Sequence, residues 1–67
     1  MEISYKKLWK LLIDKNMKKG DLQKNAFLSS SSIAKLGKNE PVTMEVLMKI
    51  CCALDCDICD IVEFVKE

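Results

Sequence analysis

Four cysteines, Cys51, Cys52, Cys56 and Cys59, fall within nine residues of one another, the densest cluster of reactive side chains in the chain. Cys56-x-x-Cys59 has the spacing of zinc-ligand pairs and of dithiol redox pairs. Cys59 lies close to an expected helix start. No second Cys-x-x-Cys pair accompanies it. Cys51 shares a helical stripe with Leu47, Ile50 and Leu54, where a thiol packs as a small hydrophobe. Cys52 is turned about 100° from that stripe, so the four thiols do not converge. The expectation is packed thiols without metal or cofactor, and a Cys-based metal or redox sensor is the alternative that the spacing leaves open.

Histidine is absent. That excludes Ser-His-Asp and Cys-His catalysis and the common imidazole zinc site. Asp14, Asp21 and Glu40 are scattered acids without a base or metal partner, and Cys59 has no oxyanion loop beside it. An enzyme with a small-molecule substrate is therefore not expected.

The other chemistry-bearing group is a run of hydroxyls, Ser29–Ser32, followed by Lys35 and Lys38. Hydroxyls and ammonium groups make hydrogen bonds and attract anions. The overall charge of +1 hides a strong asymmetry. Residues 1–40 hold nine lysines against Glu2, Asp14, Asp21 and Glu40, a balance of +5. Residues 41–67 hold Lys49 and Lys66 against six acids, a balance of −4. A basic half beside an acidic one points to a face that meets an anionic partner. There is no arginine; every cation is lysine.

The elements that must position these groups are short helices. With 67 residues, half of them apolar and only two Gly and one Pro, the chain has room for one domain, residues 1–67, and little linker. Ser4–Asn16 places Tyr5, Leu8, Trp9, Leu12 and Ile13 on one helical stripe, with Ser4 as N-cap. Lys18–Phe27 gives a short second helix with Leu22 and Ala26 one turn apart and Asp21 in its first turn. Ser30–Lys38, capped by Ser29, turns Ile33 and Leu36 inward and ends at Gly37 or Asn39 ahead of Pro41. Thr43–Leu54 carries Leu47, Ile50, Cys51 and Leu54 on one face, extended by Met44. A fifth helix begins at Asp57, with Asp60 three residues on as in a capping box. Ile58, Ile61 and Val62 form its inner face, and Phe64 and Val65 pack as a tail. No stretch shows the sustained alternation of a strand. The expected fold is all-α, five short helices with a corner near Phe27–Ser29 between the second and third.

A short helix, a tight turn and a second short helix make a demanding unit. Leu22 and a small Ala26 permit close packing, Leu28 plugs the corner, and Ile33 and Leu36 anchor the second helix. Its outer face is then left with Ser30, Ser31, Ala34 and Lys35. On these residues, 17–39 resemble the helix-turn-helix of the Cro/phage-repressor (XRE) family. The resemblance runs over about residues 3–64, with IAKLGKNE and LMKICCALDC its most diagnostic stretches. Two positions differ from the family's usual pattern: Phe27 stands where Gly is usual, and Gln23 where a small residue such as Ala is usual.

The resemblance implies a lambda-repressor-like DNA-binding domain whose recognition helix is Ser30–Lys38, and a transcriptional regulator, most readily a repressor. It places Ser30, Ser31 and Lys35 at base edges in the major groove, and Lys19, Ser29 and Lys38 at phosphates. Lysine donates to guanine O6 and N7 but lacks arginine's rigid fork, and serine accepts several bases. Specificity per monomer is therefore modest, and a homodimer on a pseudo-palindromic site is expected. The final segment and tail are the expected dimer surface, with Tyr5 and Trp9 as the alternative. No secretory signal or apolar run of membrane length is seen, so a cytoplasmic, nucleoid-associated protein is expected. A second reading is a protein-interaction module, such as an antitoxin-like partner. It would dock through the acidic end, with Ile58, Ile61, Phe64 and Val65 exposed.

Overall fold

A computed structural model describes residues 1–66. Four α-helices follow one another: α1 (Lys6–Asp14), α2 (Lys19–Asn25), α3 (Ser30–Gly37) and α4 (Met44–Leu54). They are framed by two three-residue strands, β1 (Glu2–Ser4) and β2 (Glu63–Val65), which pair antiparallel with Ile3 opposite Phe64.

The fold is mostly helical, as expected, but the fifth helix is a single 3-10 turn, Ile58–Asp60. Its start matches the sequence reading. The Asp57 N–H donates to the Asp60 carboxylate at 3.0 Å, and Asp57 accepts from the Ile58 N–H at 2.7 Å. Propagation then fails because the residues that follow, Glu63–Val65, extend to pair with β1. Aromatic and β-branched side chains such as Phe64 and Val65 suit a strand, and one helical turn has little intrinsic stability to oppose that. Ser4, expected as the α1 cap, lies in β1 instead, although its Oγ still accepts from the Lys6 N–H at 3.3 Å.

All four helices stop in the same way. Asn16, Phe27, Asn39 and Asp55 take left-handed backbone angles, with φ between 53° and 56°. The next residue's N–H then reaches back to a carbonyl five residues earlier: Met17 to Leu12, Leu28 to Gln23, Glu40 to Lys35 and Cys56 to Cys51. These bonds satisfy carbonyls that a helix end leaves orphaned. Of the two expected stops for α3, Asn39 is the left-handed residue and Gly37 is the last helical one.

The core joins Tyr5, Leu8 and Leu12 of the first segment to Leu22 and Ala26 of α2, Leu28 of the corner and Leu36 of α3. Leu47, Ile50 and Leu54 of α4 and Ile61 close it. Several expected core positions lie elsewhere, among them Ile58, Phe64 and Val65 of the final segment, which are exposed. Ile13 is 72% exposed and Met44 62% exposed, because each sits at the edge of its helical stripe. Trp9 is half-buried. Tyr5 ties the helices together from inside. Its hydroxyl donates to the Glu40 carbonyl at 2.7 Å, and its N–H donates to Asn39 Oδ1 at 3.2 Å.

Candidate nucleic-acid interface

The corner between α2 and α3 fixes which face of α3 is free. Ala26 and Leu28 are buried on either side of Phe27, so α3 leaves the turn with Leu36 sunk in the core and Ile33 half-buried against it. Ser30, Ser31, Ala34 and Lys35 remain exposed on the opposite side, with Lys38 just beyond the helix. The structure thus brings the three expected base-reading residues onto one outward surface.

The start of α3 is held by serines. Ser29 Oγ accepts from the Ser32 N–H at 3.1 Å and lies 3.0 Å from Ser32 Oγ. Its role as N-cap is as expected. Because that oxygen already accepts from the helix, the hydroxyl proton is what remains for a phosphate, and it is shared with Ser32.

Gln23 is a residue whose role the sequence reading missed. It is half-buried, and its Nε2 donates to Ser30 Oγ at 3.4 Å, linking α2 to the first turn of α3. A small residue there could not reach. The long amide in place of the family's usual small side chain was the available signal. Gln23 leaves the Ser30 hydroxyl proton free to donate outward.

Lys19 opens α2, and its ammonium lies 4.5 Å from the centroid of the Trp9 ring. The ring face attracts the cation and steers its long stem. The same ammonium stands 3.8 Å from where a Cβ on Gly37 would be. Lys19 therefore sits where α1, α2 and the end of α3 meet, which accounts for the half-buried Trp9.

Among the described residues, the one ion pair joins Lys49 to Glu45 on α4, at 3.6 Å. Lys18, Lys19, Lys24, Lys35 and Lys38 have no carboxylate within pairing distance. Their charge is thus unneutralised around α2 and α3. Three lysines on and just after α1 are placed differently. Lys7, Lys10 and Lys15 line an open cleft together with Asp14, Asp55 and Asp60, and Lys7 donates to the Cys59 carbonyl at 3.3 Å. The basic half of the sequence is therefore two surfaces, one beside the acids of the open cleft and one around α2 and α3, and neither holds an ion pair.

The cysteines do not form a site with three or more ligands among the described residues. All four are free thiols. Cys52 and Cys59 are exposed, whereas Cys51 and Cys56 are half-buried, and the Cys56 N–H donates to the Cys51 carbonyl at 3.0 Å. The close pair is thus Cys51–Cys56, across the end of α4, and not the Cys56–Cys59 spacing singled out in sequence. Burial pushes the Cys51 thiol up, and burial followed by the neighbouring Cys51 pushes Cys56 up to about 11. Both therefore hold their protons at neutral pH.

The surface required by an interaction-module reading is only partly present. Ile61 is fully buried, while Ile58, Phe64 and Val65 are exposed. Tyr5, one of the alternative dimer residues, is wholly buried and cannot serve as surface. No helix among the described residues is long and apolar enough to cross a membrane.

Comparison with known proteins agrees with the geometry. Residues 7–67 match the Cro/C1-type HTH DNA-binding domain. The fold is similar to a crystal structure of the transcriptional regulator VanUg, with a TM-score of 0.94 and 55% sequence identity. That likeness covers 98% of this chain and 88% of that one. A search of curated proteins finds no match.

Proposed function

The chain belongs to the Cro/C1-type helix-turn-helix DNA-binding family, and on that footing we propose that it is a sequence-specific transcriptional regulator that reads the major groove with α3 and acts as a repressor by occluding its site. The observation that carries this reading is the outward face of α3. Ser30, Ser31 and Lys35 are exposed together there, rimmed by lysines that no carboxylate neutralises.

In this reading Lys35 donates to guanine O6 and N7, and Ser30 and Ser31 donate to or accept from base edges. Gln23 accounts for the direction of the Ser30 hydroxyl. Lys19, held over Trp9, and Lys38 engage phosphates on either side of the groove, and Ser29 donates its hydroxyl proton to a third. The α3 N-terminus adds a positive dipole end facing the backbone. Serine and lysine are permissive readers, so two copies on a pseudo-palindromic site supply the discrimination that one lacks. The protein works in the cytoplasm on the nucleoid.

Enrichment of genomic DNA fragments on the purified protein, at low and near-physiological salt, tests this. A compact palindromic sequence that survives the higher salt is expected. Lys35→Glu combined with Lys38→Glu abolishes the enrichment while leaving helicity unchanged. Binding that vanishes with salt and yields no common sequence overturns the reading, because only lysine–phosphate attraction would then remain.

A further inference from the structure

We infer that Met44, Met48 and Cys51 of α4 form a site for a soft monovalent cation, Cu(I), held by two thioether sulfurs and one thiolate. The inference goes beyond the DNA-reading proposal and does not rest on it.

Three observations carry it. First, the three residues stand at positions i, i+4 and i+7 of one helix. At 100° per residue they fall within about 60° of its circumference, and successive members are neighbours one turn apart. Second, all three line one hollow between α4 and the 3-10 turn, together with Leu47, Asp57 and Ile58. Cys51 is half-buried there, while Met44 is 62% exposed and Met48 66% exposed. The thiol thus sits deeper and the two thioethers stand at the mouth. Methionine is unbranched with three rotatable bonds, so both thioether sulfurs can swing to a point shared with the thiol. Third, the charge around the hollow suits a cation. The one lysine of α4, Lys49, is paired with Glu45, whereas Asp57 lines the hollow and acts on Cys51 together with Asp60.

The donor set selects the ion. Thioether and thiolate are soft donors that favour Cu(I), and the chain has no histidine to offer instead. One thiolate cancels the single positive charge, so the complex is neutral and suits a largely apolar hollow. Zn(II) would keep a net charge there, and it favours four nitrogen, thiolate or carboxylate ligands. On binding, the Cys51 S–H bond breaks, the proton passes to solvent and the sulfur's electron pair goes to the ion. Each thioether donates a lone pair, and no electron is transferred. Burial and the nearby aspartates hold the proton on Cys51, so metal and proton compete for that sulfur. The cysteines and acids alone supply no three-ligand site among the described residues; the two methionines complete one.

Anaerobic titration of the full chain with Cu(I) against a chromophoric chelator, without DNA, tests the site, and Ag(I) serves as a redox-inert check. One ion per chain is expected, with one proton released. The apparent affinity therefore rises about tenfold per pH unit through neutral pH, and the bound ion raises Tm. Met44→Leu with Met48→Leu conserves volume on an exposed surface, so the chain keeps its helicity by circular dichroism. It nevertheless weakens binding by about tenfold or more, the least that even a partner behind a ligand is worth. Cys51→Ser abolishes binding, while Cys52→Ser and Cys59→Ser leave it unchanged. Undiminished affinity in the methionine variant overturns the inference, because the thiols alone would then hold the ion. So does loss of binding in Cys52→Ser or Cys59→Ser, equal affinity for Zn(II), or a chain that takes no ion from the chelator. Failure of the DNA enrichment, with the ion still bound, would defeat the DNA reading and leave this one standing.

Discussion

Phe27 is apolar by type yet 84% exposed, and it takes φ = 55°. Left-handed angles cost a residue with a Cβ about 1–2 kcal/mol, and glycine almost nothing. The turn's backbone therefore explains why glycine is usual there, and the mismatch is borne by this chain as strain. Phe27→Gly is expected to stabilise the protein by about 1 kcal/mol in urea titration, since hardly any packing is lost. The position was legible in sequence as an anomaly, but its exposure was not, because an aromatic between Ala26 and Leu28 reads as core. The thiols give a second residue-scale outcome. Burial raises Cys51, and raises Cys56 to about 11 from an ordinary 9.0, while burial also pushes up the Tyr5 phenol, against a backbone hydrogen bond from Val42. Each group keeps its proton in the fold after the unfolded chain has lost its own. For Cys56 the stabilisation is thus complete below pH 9 and is lost as the pH climbs toward 11. Thermal melts across that window should show a falling Tm, with a shallower fall in Cys56→Ala.

At the scale of elements, the helices were read correctly where a stripe of apolar residues recurs every turn, and α1 to α4 all lie within the expected segments. The last segment was misread because its fate depends on β1, which lies about sixty residues earlier. Local periodicity carries no trace of such a pairing, and three-residue strands are too short to display alternation. Helix endings offer sharper tests. Asn39 both adopts the left-handed angle and accepts from the Tyr5 N–H. Asn39→Gly should cost roughly 1 kcal/mol for the lost hydrogen bond. Asn39→Ala should cost about 1 kcal/mol more, because the backbone preference is lost as well. Comparison of the two by denaturant titration separates the bond from the angle. Gly20, inside α2, has nothing within 4 Å of where a Cβ would be. Gly20→Ala should therefore raise stability, by up to about 1 kcal/mol.

For the whole molecule, the decisive property is where the lysines stand. Counting them along the chain revealed an excess, and the fold splits that excess. Lys7, Lys10 and Lys15 share a cleft with Asp14, Asp55 and Asp60, whereas the lysines around α2 and α3 stand apart from it, and neither set forms an ion pair. The slope of log affinity against log salt should therefore fall by about one for Lys35→Gln or Lys38→Gln. Lys7→Gln and Lys10→Gln should leave it nearly unchanged. Equal effects from all four would show that the phosphate footprint reaches α1. The exposed face of α3 was visible in sequence because the core positions that turn it outward recur at helical spacing. Gln23 and the Trp9–Lys19 contact were not visible, because each depends on how two helices cross.

The pairing of β1 with β2 has a consequence for the order of events in folding. Ile3 meets Phe64 across nearly the full length of the chain, whereas successive helices close only short loops. Closing so long a loop costs entropy that three residue pairs repay poorly. The sheet is thus the last part to form and the first to open. Amide protons of residues 2–4 and 63–65 should exchange with solvent well before those of α1 and α4, through openings that leave the helices intact. The paired strands then act as a latch that can open without unfolding the helices.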